Sequence, residues 1–224
     1  MDLILVRHGD VDAPPGLCLG QTDALLSASG CLREEQVRVD FSETPRDYLP
    51  RDYDHVYQRW TRHQISWHEV EIALEAWATY KSWDFREAYI ERYASIYSLS
   101  ESDRAALRRA QLEAVRQSYE FNVTTLSAQY AWNDLEKSSS AWRVTLVDAL
   151  GHEISPDEIR IEKLPDAYET EFFPVRDEFK KAFQKTYRIR FSVPAGGEFV
   201  GPKSGSITLR IASPIGRLDL VWQS

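Results

Sequence analysis

Between Arg51 and Gly151 the chain contains neither glycine nor proline. So long a stretch without the two residues that punctuate turns suits helices and excludes a turn-rich fold for its first part. Within it Val70, Leu74, Trp77 and Lys81 fall at i, i+4, i+7 and i+11, which predicts a helix with one apolar face. Ser82 is placed to cap a second helix carrying Phe85, Tyr89, Tyr93 and Ile96. Ser100, with Asp103 three residues on, is placed to open a third bearing Leu107, Ala110, Ala114 and Val115. Residues 54–118 therefore read as a helical segment.

Near residue 119 the period changes from helical to alternating. Tyr119, Phe121 and Val123 alternate with polar residues, as do Trp142, Val144 and Leu146. The same spacing recurs at Tyr187/Ile189/Phe191/Val193, Ile207/Leu209/Ile211 and Leu218/Leu220/Trp222. Period two marks half-buried strands of an antiparallel sheet. Turn signals separate them at Leu150-Gly151, Pro194 to Gly197, Gly201-Pro202 and Ser213 to Gly216. Six or seven short strands over residues 119–224 predict an immunoglobulin-like β-sandwich, with a partly open barrel as the alternative. Upstream, Pro45 and Pro50 oppose regular helix, so Ser42–Asp54 reads as a linker or an extended arm.

The function classes left open are narrowed by charge. A net charge of −8 argues against a general binder of nucleic acid or of an anionic membrane surface, both of which need a cationic face. At 43% hydrophobic and 28% charged residues the chain is of ordinary globular composition. The two cysteines, Cys18 and Cys31, permit one disulfide near the N-terminus and none elsewhere. No apolar run approaches membrane-spanning length, and Leu3–Val6 is too short for the core of a signal peptide. A cytoplasmic location is expected from the sequence as written, and an exported or envelope one if the native start differs.

Several groups invite a site. His55, His63 and His68 are offset by eight and five residues, which on continuous helix does not bring them to one face, so surface or packing roles are expected. Trp60, Trp67, Trp77 and Trp83, with five nearby tyrosines, are expected to pack, with a stacking platform for sugars or peptides as the rival reading. Arg188 and Arg190, with Arg210 on a neighbouring strand, would dock an acidic partner or form a solvated outer face. Leu164–Val175 is a candidate recognition loop.

The opening residues point elsewhere. Leu3-Ile4-Leu5-Val6-Arg7-His8-Gly9 is a short apolar strand running into an Arg-His-Gly turn, followed by Gly20-Gln21-Thr22-Asp23 and Leu26-Ser27-Ala28-Ser29-Gly30. This succession resembles the start of the histidine phosphatase (phosphoglycerate mutase-like) superfamily, in particular the branch that includes alpha-ribazole phosphatases. The resemblance covers residues 1–35. It implies His8 as the nucleophile that takes a phosphoryl group, Arg7 as a phosphate clamp and the Gly20 backbone as a phosphate-proximal amide. The family's second arginine, acid and second histidine have only displaced counterparts, Arg62, Glu87 and His152, and the family's alternation of strand and helix is not maintained beyond residue 54.

The expectation is an α+β protein in three parts. Residues 1–53 form a histidine-phosphatase-like fragment and linker, 54–118 a helical segment, and 119–224 an antiparallel β-sandwich on which the helices pack. The expected function is a non-catalytic binding or scaffolding module, of bacterial envelope origin if exported. It would need no cofactor, and it would take an unidentified protein or small-molecule ligand. The alternative is a divergent phosphatase of small phosphomonoesters acting through His8.

Overall fold

The computed structural model describes residues 37–162, 184–194, 199–201 and 204–224. The chain separates into two compact units, Met1–Val37 and Arg38–Ser224, and the fold below is that of the second. It is α+β, with three α-helices and two antiparallel sheets among the described residues. Its elements are helix α1 (Tyr53–Trp60), strands β1 (Thr61–His68) and β2 (Glu71–Tyr80), helices α2 (Trp83–Tyr97) and α3 (Glu101–Gln117), and strand β3 (Ser118–Leu126). Six more strands follow: β4 (Arg143–Asp148), β5 (Glu153–Ile154), β6 (Glu158–Glu162), β7 (Gln184–Ser192), β8 (Ser206–Ser213) and β9 (Gly216–Gln223).

The five-stranded sheet runs β1-β2-β3-β7-β6 and the four-stranded sheet β5-β4-β8-β9. Alternation in the sequence sets which face is buried. Tyr119, Phe121 and Val123 lie opposite Phe191, Ile189 and Tyr187, and all six are buried. In the other sheet Leu209 lies between Leu146 and Leu220, again all buried. The two inner faces share one hydrophobic core, with the Trp222 ring 5.4 Å from Phe121 and 6.4 Å from Tyr80.

Along one side the sheets are joined by side chains that serve the neighbouring strand's backbone. Arg62 Nε donates to the Val221 carbonyl (2.7 Å), Gln64 Oε1 accepts from Asp219 N (2.6 Å), and Ser66 Oγ accepts from Arg217 N (3.1 Å). Gly216 makes this seam possible, because a Cβ there would lie 2.2 Å from Ser66 Oγ.

The helix expected over Val70–Lys81 is instead the second strand of a hairpin, and residues 61–80 are strand except for the turn between them. Leu74 is buried, Trp77 is half-buried, and Val70 sits exposed in the turn. The turn is Glu69-Val70, with Glu69 held at φ 54° where glycine or asparagine is usual. Strand β2 lies between β1 and β3, and its alanines at 73, 76 and 78 are buried. Pairing on both sides overrides their helical preference.

The two following helices form where capping predicts them. Ser82 Oγ accepts from Phe85 N (3.1 Å) to start α2, which ends with Ser98 in the left-handed region. Ser100 Oγ accepts from Asp103 N (3.2 Å) to start α3. Both helices are inserted between neighbouring strands β2 and β3, so residue 118 does not part a helical body from a sheet. Residues 38–52 are an arm bound into the fold: Val39 N donates to the Gln223 carbonyl (2.7 Å), and Phe41 packs against Trp60 and Tyr80.

Candidate functional site

The first two turns of α2 are buried on every side, from Trp83 to Ala88, although they carry Asp84, Arg86 and Glu87. Charge at that depth persists only where it is partnered. Asp84 accepts from Tyr48 Oη (2.5 Å) and Trp60 Nε1 (2.7 Å), with Arg46 Nε at 3.1 Å and Arg59 at 3.6 Å. The Trp60 carbonyl in turn accepts from Trp222 Nε1 (2.9 Å), which links the arm, α2 and the far sheet.

On the opposite side of α2, Arg86 contacts Gln111 of α3, donates to the Lys81 carbonyl (2.9 Å) and reaches Glu120 of β3 (3.2 Å). Lys81 donates to the same Glu120 (2.5 Å). Burial alone would raise the Glu120 carboxyl, but Lys81 and Arg86 together hold it down at about 2. Burial lowers the Lys81 ammonium against the pull of Glu120.

Two hollows flank this helix. A cleft of about 260 Å³ is lined by Asp47, Tyr48, Glu91, Glu101, Arg104 and Arg108. Its two arginines are already paired, Arg104 with Glu91 and Glu101, Arg108 with Glu91. The other, a recess of about 220 Å³, lies between the arm, the start of α2, the end of α3 and β3. Phe41, Tyr80, Trp83 and Tyr119 supply its aromatic walls, and Glu43 and Arg116 are its charged lining residues. Tyr119 is fixed by accepting from the amides of Phe199 (3.0 Å) and Val200 (3.2 Å). Trp83 is 5% exposed, and its indole Nε1 is buried with no hydrogen-bond partner. A donor left unmet in this way is uncommon in a folded protein.

The residues singled out from the sequence are distributed differently. His8, Arg7 and Gly20 lie outside the described residues, as does the whole of Leu164–Val175. Arg62 is a seam residue, its guanidinium bonded to carbonyls of Arg59, Thr61 and Val221 and set 5.7 Å over the Trp222 ring. Glu87 is fully buried on α2 and accepts from Arg46 N (2.7 Å). Burial raises its carboxyl, opposed by the Arg46 amide and by Arg108. His152 is exposed in the β4–β5 turn, where it pairs with Asp148 (2.7 Å). These three sit on different elements with separate partners, and the structure does not gather them around one centre.

His63 pairs with Glu75 (2.9 Å) and stacks on Trp77, His55 lies beside Arg59 on α1, and His68 meets the edge of Trp132. Among the described residues no group of three or more His, Cys, Asp or Glu is arranged to hold a metal. Trp60 and Trp83 are buried, whereas Trp67 is exposed on β1. Arg188 and Arg190 lie on the five-stranded sheet, paired with Glu162 and Glu158, while Arg210 is on the other sheet with Glu153 and Asp219. The three arginines therefore do not form one patch. No helix among the described residues is long and apolar enough to cross a membrane.

The recess was not legible beforehand. Its walls come from five separate stretches of sequence, and Phe41, Glu43 and Arg116 belong to no motif. Only the unusual density of aromatic residues pointed towards it.

No protein-family model matches the chain, and no curated protein matches it. A solved structure from Burkholderia pseudomallei, described as a novel protein of unknown function, is similar at 12% identity and a TM-score of 0.37. The match spans 80% of this chain and 92% of that one, and it is too distant to bear on fold or function.

Proposed function

We propose that the unit Arg38–Ser224 is a non-catalytic binding module, and that the aromatic recess beside α2 is where it binds. One observation carries the reading: a hollow of about 220 Å³ lined by Phe41, Tyr80, Trp83 and Tyr119 together with the charged pair Glu43 and Arg116. A cavity of roughly 150 Å³ already holds a benzene ring, so a small cyclic ligand fits. Concave apolar hollows with a few converging polar groups are the usual form of small-molecule sites. We read the scaffold as a loosely immunoglobulin-like sandwich with α2 and α3 inserted, the two sheets facing each other across one core.

The test is saturation-transfer NMR on the full chain with small aromatic compounds. Signal should pass from the protein to the ring in the native chain and vanish in Val115→Phe, which fills the recess from α3. Equal transfer in both, or none in either, would reject the reading.

A second reading is supported by residues 3–30: a phosphomonoesterase using His8. It predicts phosphate release from an aryl phosphate that is lost in His8→Ala. Release that survives the substitution, or none at all, removes it.

A further inference from the structure

We propose that the recess is selective for a small aromatic monocarboxylate, bound through Arg116, and that Glu43 of the arm is a built-in competitor for that arginine. This rests on the recess being a binding site and adds the chemistry of its ligand.

The argument starts from how Arg116 is occupied. Its Nε and Nη2 both donate to a single oxygen of Glu43, Oε2, at 3.1 and 3.0 Å. Arginine's fork matches a carboxylate best when each nitrogen meets its own oxygen, in two parallel bonds. Glu43, tethered to the arm, makes the poorer one-oxygen contact. A free carboxylate has no such tether and is able to adopt the parallel form. The pair is also shallow, with the side chains 57% and 41% exposed, and ion pairs of that kind contribute little to stability. Opening it therefore costs little.

The remaining lining selects the rest of the ligand. Phe41, Tyr80, Trp83 and Tyr119 supply aromatic side chains to the lining, and Val115, Val193 and Val200 add aliphatic ones, beside the charged pair. Cation recognition is disfavoured, because Arg116 stands in the lining and Glu43 is already neutralised by it.

The experiment uses the full chain titrated with benzoate and, separately, with the neutral isostere benzamide, followed by calorimetry or tryptophan fluorescence. The native chain should prefer benzoate. Glu43→Gln should tighten benzoate several-fold and leave benzamide unchanged. Arg116→Gln should weaken benzoate by about tenfold or more while sparing benzamide. Both side chains are exposed enough for the variants to fold, and matching melting temperatures check this. Benzamide binding as well as benzoate, with neither variant altering the ratio, overturns the carboxylate assignment but leaves the recess as a site. Binding of neither compound, in native chain and variants alike, overturns both.

Discussion

Glu120→Gln gives the sharpest test of the charge network under α2. Glu120 meets both Lys81 and Arg86, at 2.5 and 3.2 Å, and its carboxyl is held at about 2 against an ordinary value of 4.5. A depressed carboxyl contributes stability that is fully present above the unfolded value and is lost as pH falls through the folded one. The gap of about 2.5 units corresponds to about 3 kcal/mol at neutral pH. Near pH 3 the same linkage leaves about 1.5 kcal/mol. Glutamine keeps the shape but not the charge, and it removes the Glu120 counter-charge from Lys81 and Arg86. Urea unfolding followed by tryptophan fluorescence should therefore show a loss of about 3 kcal/mol at pH 7, narrowing to about half at pH 3. A difference that stays constant across that range, or below about 1 kcal/mol at pH 7, would falsify the assignment of the depressed carboxyl to these two cations.

Glu87→Gln should behave in the opposite sense. Its carboxyl is raised by burial, so the neutral isostere is expected to be at least as stable as the native side chain at pH 7 and to flatten the rise in stability on acidification; a clear loss in urea melts would contradict this. Glu69→Gly should stabilise by up to ~1 kcal/mol, since glycine occupies φ 54° without the Cβ penalty, and a lower midpoint would refute the strain argument. Gly216→Ala should destabilise by about 1–3 kcal/mol, because its Cβ meets Ser66 Oγ and opens the β1–β9 seam; calorimetry showing no change would place the seam elsewhere. Deleting residues 1–50 removes Phe41 from the core and Tyr48 from Asp84, and should lower the melting temperature by roughly 10 °C; an unchanged transition would mean the arm is dispensable.

The parts of this fold that could be read from the chain are those governed by near neighbours. Ser82 and Ser100 mark two helix starts because capping is a contact over three residues. Tyr119/Phe121/Val123 and Ile207/Leu209/Ile211 mark strands because alternation reflects one buried face. The hairpin β1–β2 escaped because its turn uses Glu69 rather than glycine, and because β2 is buried on both faces and so carries small and apolar residues without strict alternation. The candidate site escaped for a further reason. Glu43 and Arg116 are separated by 73 positions, and no spacing rule connects an arm to the end of a helix.

The sequence by itself determined the helix caps of α2 and α3, the alternating faces of the C-terminal strands and the α+β character, since each follows from interactions within a few residues. Tertiary structure alone decided that residues 61–80 become strands, that the arm belongs to the core and that α2 carries buried charge. It also decided that Arg62, Glu87 and His152 go their separate ways while Phe41, Trp83 and Arg116 meet. Those outcomes depend on which distant surfaces exclude water together, and burial of that kind is a property of the assembled core and not of any local stretch of chain.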